Sequence, residues 1–409
     1  MYTEISKCRI CDGKNLDQVL SLGNQTLTGV FPKSKSENVT AGPVDLVKCK
    51  KCDLVQLKQS YSIDEMYGDN YGYRSGLNKS MVEHLSSKIQ SLEKLVQLSE
   101  NDIVIDIGSN DATSLRAYSG SHMKIGIDPT GKKFKSHYAK DMVLIPEFFN
   151  AERFRELFPN NSAKIITSIA MFYDLESPTQ FASDIAECLH QDGIWHFEQS
   201  YLPTMLELGS YDTICHEHLE FYSLHVVKSI LNKAGLKIID VHLNSINGGS
   251  FAITACKLNA KHKTNVAMVN MLLDKEVEMG VGGMDLYREF ERNVIKHRDE
   301  LRVLVLGLVQ KEKKVFGYGA STKGNVLLQY CKFTSEEIKY IADVNPDKYG
   351  KYTPGSHIPI ISEKEAKKME PDYYLVLPWH FREGILERET ESRKSGVKFI
   401  FPFPEIEII

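Results

Sequence analysis

Two Cys-x2-Cys knuckles, Cys8/Cys11 and Cys49/Cys52, stand near the start of the chain with 37 residues between them. Each knuckle turns two sulfurs to one side of a tight loop, and together they supply the four thiolates that tetrahedral Zn²⁺ prefers. Four protein ligands leave no open coordination position, so the predicted role is structural. The ion would close a small N-terminal lobe rich in turn residues (Gly23, Gly29, Pro32, Gly42, Pro43). The rival readings are a pair of disulfides or unrelated buried thiols. The first fits poorly with Cys188, Cys215, Cys256 and Cys331, which are scattered through apolar stretches as in a reducing compartment.

The chain has 409 residues, enough for two or three domains each with its own core. A formal net charge of -4, with both signs interspersed, gives no broad basic surface, so neither nucleic acid nor membrane is expected as a partner. The opening stretch "MYTEISKCRICDGKN" is polar, and no apolar run reaches bilayer-spanning length. A cytoplasmic protein is expected, as a monomer or small homo-oligomer.

Residues 103–108, "IVIDIG", predict a buried parallel strand that ends in a glycine turn, with a helix starting in "SNDATSLRAY". That strand delivers Asp106 and Gly108 to its carboxyl edge, where doubly wound sheets bind ligands. The next strand, "KIGIDP", ends at Asp128, a place where a carboxylate commonly accepts ribose hydroxyls. The glycine spacing is not GxGxxG. The pattern D-x-G-x-N-D, which includes Asn110, looks like the S-adenosylmethionine turn of class I methyltransferases. Further alternation supports a parallel sheet: "AKIITSIAMFYDL" as a strand, 178–191 as a helix, and "GIWHFEQSY" as a strand. "GGSFAITACKL" (248–258) is expected as a late edge strand. A second strand, glycine turn and helix appears in "KKVFGYGASTKGNVLLQYC", where Ser321, Thr322 and Lys323 would form a phosphate cradle. The order Lys323-Gly324-Asn325 is not that of a Walker loop.

The stretch "YDTICHEHLEFYS" (211–223) packs His216, Glu217 and His218 together. Three readings stand: a metal site, a buried hydrogen-bonded knot, or acid/base equipment.

In several motifs in order, the chain resembles the S-adenosylmethionine-dependent C-methyltransferases of nucleotide-linked 4-keto-6-deoxysugars. These are the cysteine lobe, "YGYRSGLNKSMVEH" (71–84), "DIGSND" (106–111), "CHEHLEFYS" (215–223), "NGGS" (247–250), "GYGASTKGN" (317–325), "PGSHIPI" (354–360) and "KFIFPFP" (398–404). The resemblance implies an α/β chain in four parts: a zinc-binding lobe (1–70), a class I methyltransferase Rossmann-like domain (71–262), a helical connection (263–313) and a second Rossmann-like domain (314–409) that helps hold the sugar nucleotide. It implies S-adenosylmethionine and structural Zn²⁺ as cofactors and a nucleotide-linked sugar as substrate. His218 matches the base that removes a proton alpha to the ketone, with Glu217 and His216 beside it and Tyr222 near the keto oxygen. Lys323 and Asn325 would meet the diphosphate, and Tyr71, Tyr73 and Ser75 would either cover the cofactor or form a Tyr-rich hinge that packs two domains. Cys215 stands where many relatives have Tyr, Met171-Phe172-Tyr173-Asp174 where they have a His after the fourth strand, and Trp379-His380-Phe381 in place of Trp-Asn-Phe. Cys215 and His380 are therefore expected to face the sugar. Rival functions are O-methylation of a sugar hydroxyl, an NAD-linked oxidoreductase or epimerase, and a noncatalytic zinc-bearing scaffold.

Overall fold

The computed structural model describes residues 2–67 and 73–409. Its centre is a seven-stranded sheet in the order Leu236–Asn244, Ser250–Lys257, Leu189–Ser200, Ala163–Ile169, Ile103–Ile107, Met123–Ile127, Met142–Ile145. The last five run parallel, and Ser250–Lys257 is antiparallel to both neighbours. All five residues of Ile103–Ile107 are buried, as a β-branched run between covered faces should be. Ser250–Lys257, expected at the edge, instead lies second from it, with seven of its eight residues buried. The outermost strand comes earlier in the chain, and the last strand inserts between it and Leu189–Ser200.

The helix expected after Ile103–Ile107 is a single turn, Thr113–Arg116, because Asn110 and Ala112 take left-handed conformations (φ +47° and +60°). A longer helix, Lys79–Leu95, starts where Asn78 accepts from the Ser80 amide and buries Met81, Leu85, Ile89 and Leu92 along one face.

The N-terminal lobe is a four-stranded antiparallel sheet. Leu16–Thr26, Ala41–Cys49 and Val55–Leu57 come from the lobe, and Glu220–Phe221 comes from the centre of the chain. The segment carrying the His-Glu-His cluster thus ends as an edge strand of the cysteine lobe. The C-terminal unit is a six-stranded sheet in the order Ile360–Ser362, Ile341–Asp343, Val315–Tyr318, Tyr373–Val376, Lys398–Phe401, Glu407–Ile408, parallel except for its last strand. Two helices, Val266–Met279 and Asp285–Gln310, lead into it. The second buries Tyr287, Phe290, Val294, Leu301 and Val305 at helical spacing.

The parts share their interiors. Leu20, Leu46 and Leu57 of the lobe lie in one apolar core with Val294, Leu301 and the C-terminal strands, while Cys8, Ile10 and Leu54 pack with the central sheet. Gln329 seals the lobe to the C-terminal unit: its Oε1 accepts from Thr26 N at 2.7 Å and its Nε2 donates to Thr26 O at 3.1 Å. Among the described residues no helix is long and apolar enough to cross a membrane.

Candidate active site

Cys8, Cys11, Cys49 and Cys52 bring their sulfurs within 4.8 Å of one another, and the closest pairs are 3.6 Å (Cys8/Cys52) and 3.5 Å (Cys11/Cys49). Zn–S bonds of about 2.3 Å in a tetrahedron require edges of nearly that length. The donor set and its spacing fit Zn²⁺ with no ligand position left open, and the four residues hold it as a structural ion.

The main pocket opens at the carboxyl edge of the central sheet. Asp106, Gly108, Ser109 and Asn110 line one side, Asp128, Pro129 and Thr130 the next, and Tyr73, Ser75, Met81 and Leu85 cover it. Gly108 stands at φ +72°, which is what makes the turn need glycine, and Met171 Cγ lies 3.2 Å from where a Cβ would stand. Asp128 is buried, and its carboxylate braces the turn: Oδ2 accepts from Asn110 N at 2.7 Å, and Oδ1 accepts from Thr130 N and Oγ1 at 2.6 Å. Burial pushes the Asp106 carboxyl up to about 7, while Thr167 donates its hydroxyl to it at 2.6 Å. The covering segment is strapped to the same turn. Ser75 N donates to Asn110 Oδ1 (3.1 Å), and Gly76 N and Arg74 Nε donate to Asp111 Oδ2 (3.2 and 3.1 Å). Asp106, Gly108, Asn110, Asp128, Tyr73 and Ser75 are therefore together in one pocket, and Tyr71 lies outside the described residues. The C-terminal unit repeats the bracing, with Asp343 accepting from Ala320 N at 2.6 Å and Asn345 N at 2.7 Å.

Beside this pocket lies the His-Glu-His segment. His218 Nδ1 donates to Thr213 O at 2.7 Å, which leaves Nε2 as the open, lone-pair-bearing nitrogen. Its ring packs on Tyr173 with centroids 4.1 Å apart, and Leu219 and Met171 continue into the pocket wall. Burial, reinforced by the Lys323 charge, lowers the imidazole to about 3, so it is neutral at working pH. Burial moves the adjacent Glu217 carboxyl the other way, to about 7, with the Cys215 thiol pointing to it at 3.8 Å. Lys323 reaches across from the C-terminal unit and donates to Asn247 O at 2.5 Å, and Asn247 itself lines the pocket. Burial lowers the Lys323 ammonium while the nearby Asp212 raises it. His380 faces the same cation and is pulled down to about 3, chiefly by burial. Trp379 Nε1 donates to Asp212 Oδ2 at 2.8 Å and closes this side.

Several expected site residues point elsewhere. His216 is buried in the lobe interface, with Nε2 on Gln25 O at 3.1 Å and its ring edge-on to Tyr61, so this half of the cluster is the hydrogen-bonded knot. Tyr222 is fully buried, stacked on Phe172 with its hydroxyl donating to Phe172 O at 3.5 Å. Asn325 is spent on the lobe, donating to Thr28 O at 2.8 Å. Ser321 caps its own helix by accepting from Gly324 N at 3.0 Å, with Thr322 half-buried beside it. Cys215 is sealed, and burial pushes its thiol well up. Residues not singled out from sequence are Asp212, Thr213 and Asn247. The first two lie inside the quoted 211–223 stretch, and only their position in a one-turn helix reveals their partners.

The sheet order, the glycine turn and the two braced carboxylates define a class I S-adenosylmethionine-dependent methyltransferase. A methyltransferase domain profile matches residues 79–241, a domain described as zinc binding matches 8–67, and the C-methyltransferase C-terminal domain matches 245–404. C-methyltransferase NovU of Streptomyces niveus is 31% identical over 99% of this chain and 97% of its own length. The chain belongs to this C-methyltransferase family. Solved structures with partial likeness include an S-adenosylmethionine-dependent methyltransferase of Clostridium acetobutylicum (12% identity, 43% of this chain and 92% of that one, TM-score 0.34) and magnesium protoporphyrin IX methyltransferase of Synechocystis (12% identity, 47% and 90%, TM-score 0.34).

Proposed function

We propose that the protein methylates a carbon alpha to the ketone of a nucleotide-linked 4-keto-6-deoxysugar. The observation that carries this reading is the open Nε2 of a neutral His218 beside the cofactor pocket, with the Lys323 ammonium near enough to act on the imidazole. S-adenosylmethionine, when bound, supplies an electrophilic methyl group. The chain must generate a carbon nucleophile. His218 Nε2 takes the proton from the alpha carbon, and the C–H electron pair becomes the enolate, whose negative oxygen Lys323 faces in a site shielded from water. The carbon then takes the methyl group, the ketone reforms, and S-adenosylhomocysteine and a proton on His218 remain. The sugar-nucleotide part of the reading is supported by the resemblance of the motifs along the chain and by the second Rossmann-like unit, whose Lys323 and His380 share the cleft.

A second assignment of the base is favoured by a specific observation: the Glu217 carboxyl, at about 7, matches the working pH better than an imidazole at about 3. Incubation of candidate nucleotide-linked keto-sugars in heavy water without cofactor tests both. The reading requires solvent deuterium at the alpha carbon with the unaltered protein. Loss in His218→Ala but not in Glu217→Gln assigns the histidine, and the reverse assigns the carboxylate. No exchange with any keto-sugar, while S-adenosylmethionine binds, overturns the keto-sugar reading.

A further inference from the structure

Arg9 sits between the zinc ligands Cys8 and Cys11, yet its side chain, only 2% exposed, makes its contacts elsewhere. Nη1 donates to Leu57 O at 2.6 Å, Nη2 to Ser60 Oγ at 2.8 Å, and Nε to Glu176 Oε2 at 3.2 Å, with longer bonds to Gln56 Oε1 and Gln59 O. Its Nε also lies 3.7 Å from Glu220 Oε1. Glu220 is fully buried, and burial pushes its carboxyl well above the usual carboxylate range, with the Arg9 guanidinium the strongest influence opposing that rise.

The groups it holds lead directly to His218. Leu57, whose carbonyl Arg9 binds, donates its own amide to Leu219 O at 2.8 Å, and Leu219 N donates to Tyr173 O at 2.8 Å. Glu220 and Phe221 pair antiparallel with Gln56 and Val55. Leu219 follows His218 in the chain, and the Tyr173 ring is the one packed against that imidazole. Glu176, the acceptor of Nε, lines the cofactor pocket. One side chain therefore connects the cysteine knuckle, the strand that fixes the register of residues 217–221, and the pocket wall. An arginine on a free loop would lose most of its rotamer freedom in adopting this arrangement. A backbone fixed by metal on both sides of residue 9 removes part of the freedom to be lost.

We propose that Arg9 is a positioning residue through which the zinc knuckle sets the register of the 217–221 segment, and with it the direction of the His218 ring. The inference rests on the assignment of proton transfer to His218 and Glu217. The test uses full-length, zinc-loaded protein with Arg9→Met and the conservative Arg9→Lys, read by metal analysis, amide hydrogen exchange, S-adenosylhomocysteine affinity and steady-state rates. Arg9→Met is expected to keep one zinc per chain and to bind S-adenosylhomocysteine within a few-fold of the parent. Exchange in peptides covering 214–222 and 55–60 should rise, and kcat should fall about tenfold or more, because small misplacements of reacting groups carry penalties of that size. Arg9→Lys, which keeps the charge but not the fork, should lie between, and it carries the test if Arg9→Met does not fold. Removing zinc from the unaltered protein by chelation should deprotect the same 214–222 peptides. Unchanged protection there in the zinc-loaded variants, or deprotection spread evenly over the chain, overturns the proposal. Local deprotection with undiminished kcat would uphold the positioning and refute the role given to His218 and Glu217.

Discussion

Replacing Glu217 by Gln should stabilise the protein at alkaline pH and change it little in acid. Burial raises this carboxyl from 4.5 to about 7, so the folded state holds the proton more tightly than the unfolded chain. The stability linked to that proton is complete below the unfolded value near 4.5 and is lost as pH rises through about 7. At about 1.4 kcal/mol per pH unit, the displacement corresponds to about 3 kcal/mol above pH 8. Glu217 is half-buried and solvent screens part of the penalty, so the figure is an upper bound. At pH 5 the same relation leaves under about 1 kcal/mol. With about 2.1 cal/mol/K of unfolding entropy per residue over 409 residues, a gain of about 1–3 kcal/mol raises Tm by about 1–4 °C. Differential scanning calorimetry of the parent and Glu217→Gln at pH 5.0 and 8.5 reads this difference directly. An equal gain at both pH values, or a lower Tm for the variant at pH 8.5, would refute the claim that a buried, destabilised carboxylate sits there.

Three other outcomes are expected. Asp128→Ala removes the acceptor of Asn110 N, Thr130 N and Thr130 Oγ1, and at about 1–3 kcal/mol for a buried donor left unpaired, S-adenosylmethionine affinity by calorimetry should fall at least about tenfold. Trp379→Phe removes the indole N–H donor to the buried Asp212 carboxyl, and should lower stability by about 1–3 kcal/mol in calorimetry without disturbing the zinc content. Lys323→Met should lower kcat by about 10²–10³ while leaving cofactor affinity unchanged, as removal of a charge-stabilising donor does elsewhere; an equal loss of cofactor affinity would place Lys323 on the wrong side of the cleft.

How far the sequence was legible follows from local periodicity. The buried run at 103–107 and the carboxylates at its edge were readable because a strand direction and a glycine turn fix where the next residues go. The cysteine spacing needed no fold at all. Between Ser210 and Leu219 the backbone consists of turns and a one-turn helix, so neither the two-residue nor the 3.6-residue period tells which side chain faces which way. His216 and His218, two residues apart, consequently point to different partners, Gln25 of the lobe and Thr213 beside the cleft. The resemblance assigned Asn325 to the diphosphate, but its amide donates to Thr28 O, 297 positions away and invisible to any window. The place of Ser250–Lys257 inside the sheet was hidden for the same reason, since strand order is set by packing that a single segment does not encode.

The most direct test of the central claim is the site of the new bond. The protein should be incubated with S-adenosylmethionine carrying a ¹³C-methyl group and a panel of nucleotide-linked 4-keto-6-deoxysugars, and the products read by two-dimensional NMR. The account predicts a labelled methyl group coupled to a sugar carbon next to the ketone, formed by the parent protein and lost in the variant that abolishes solvent exchange. A labelled methyl on oxygen, or a carbon-methylated product formed as fast by both His218→Ala and Glu217→Gln as by the parent, would contradict it.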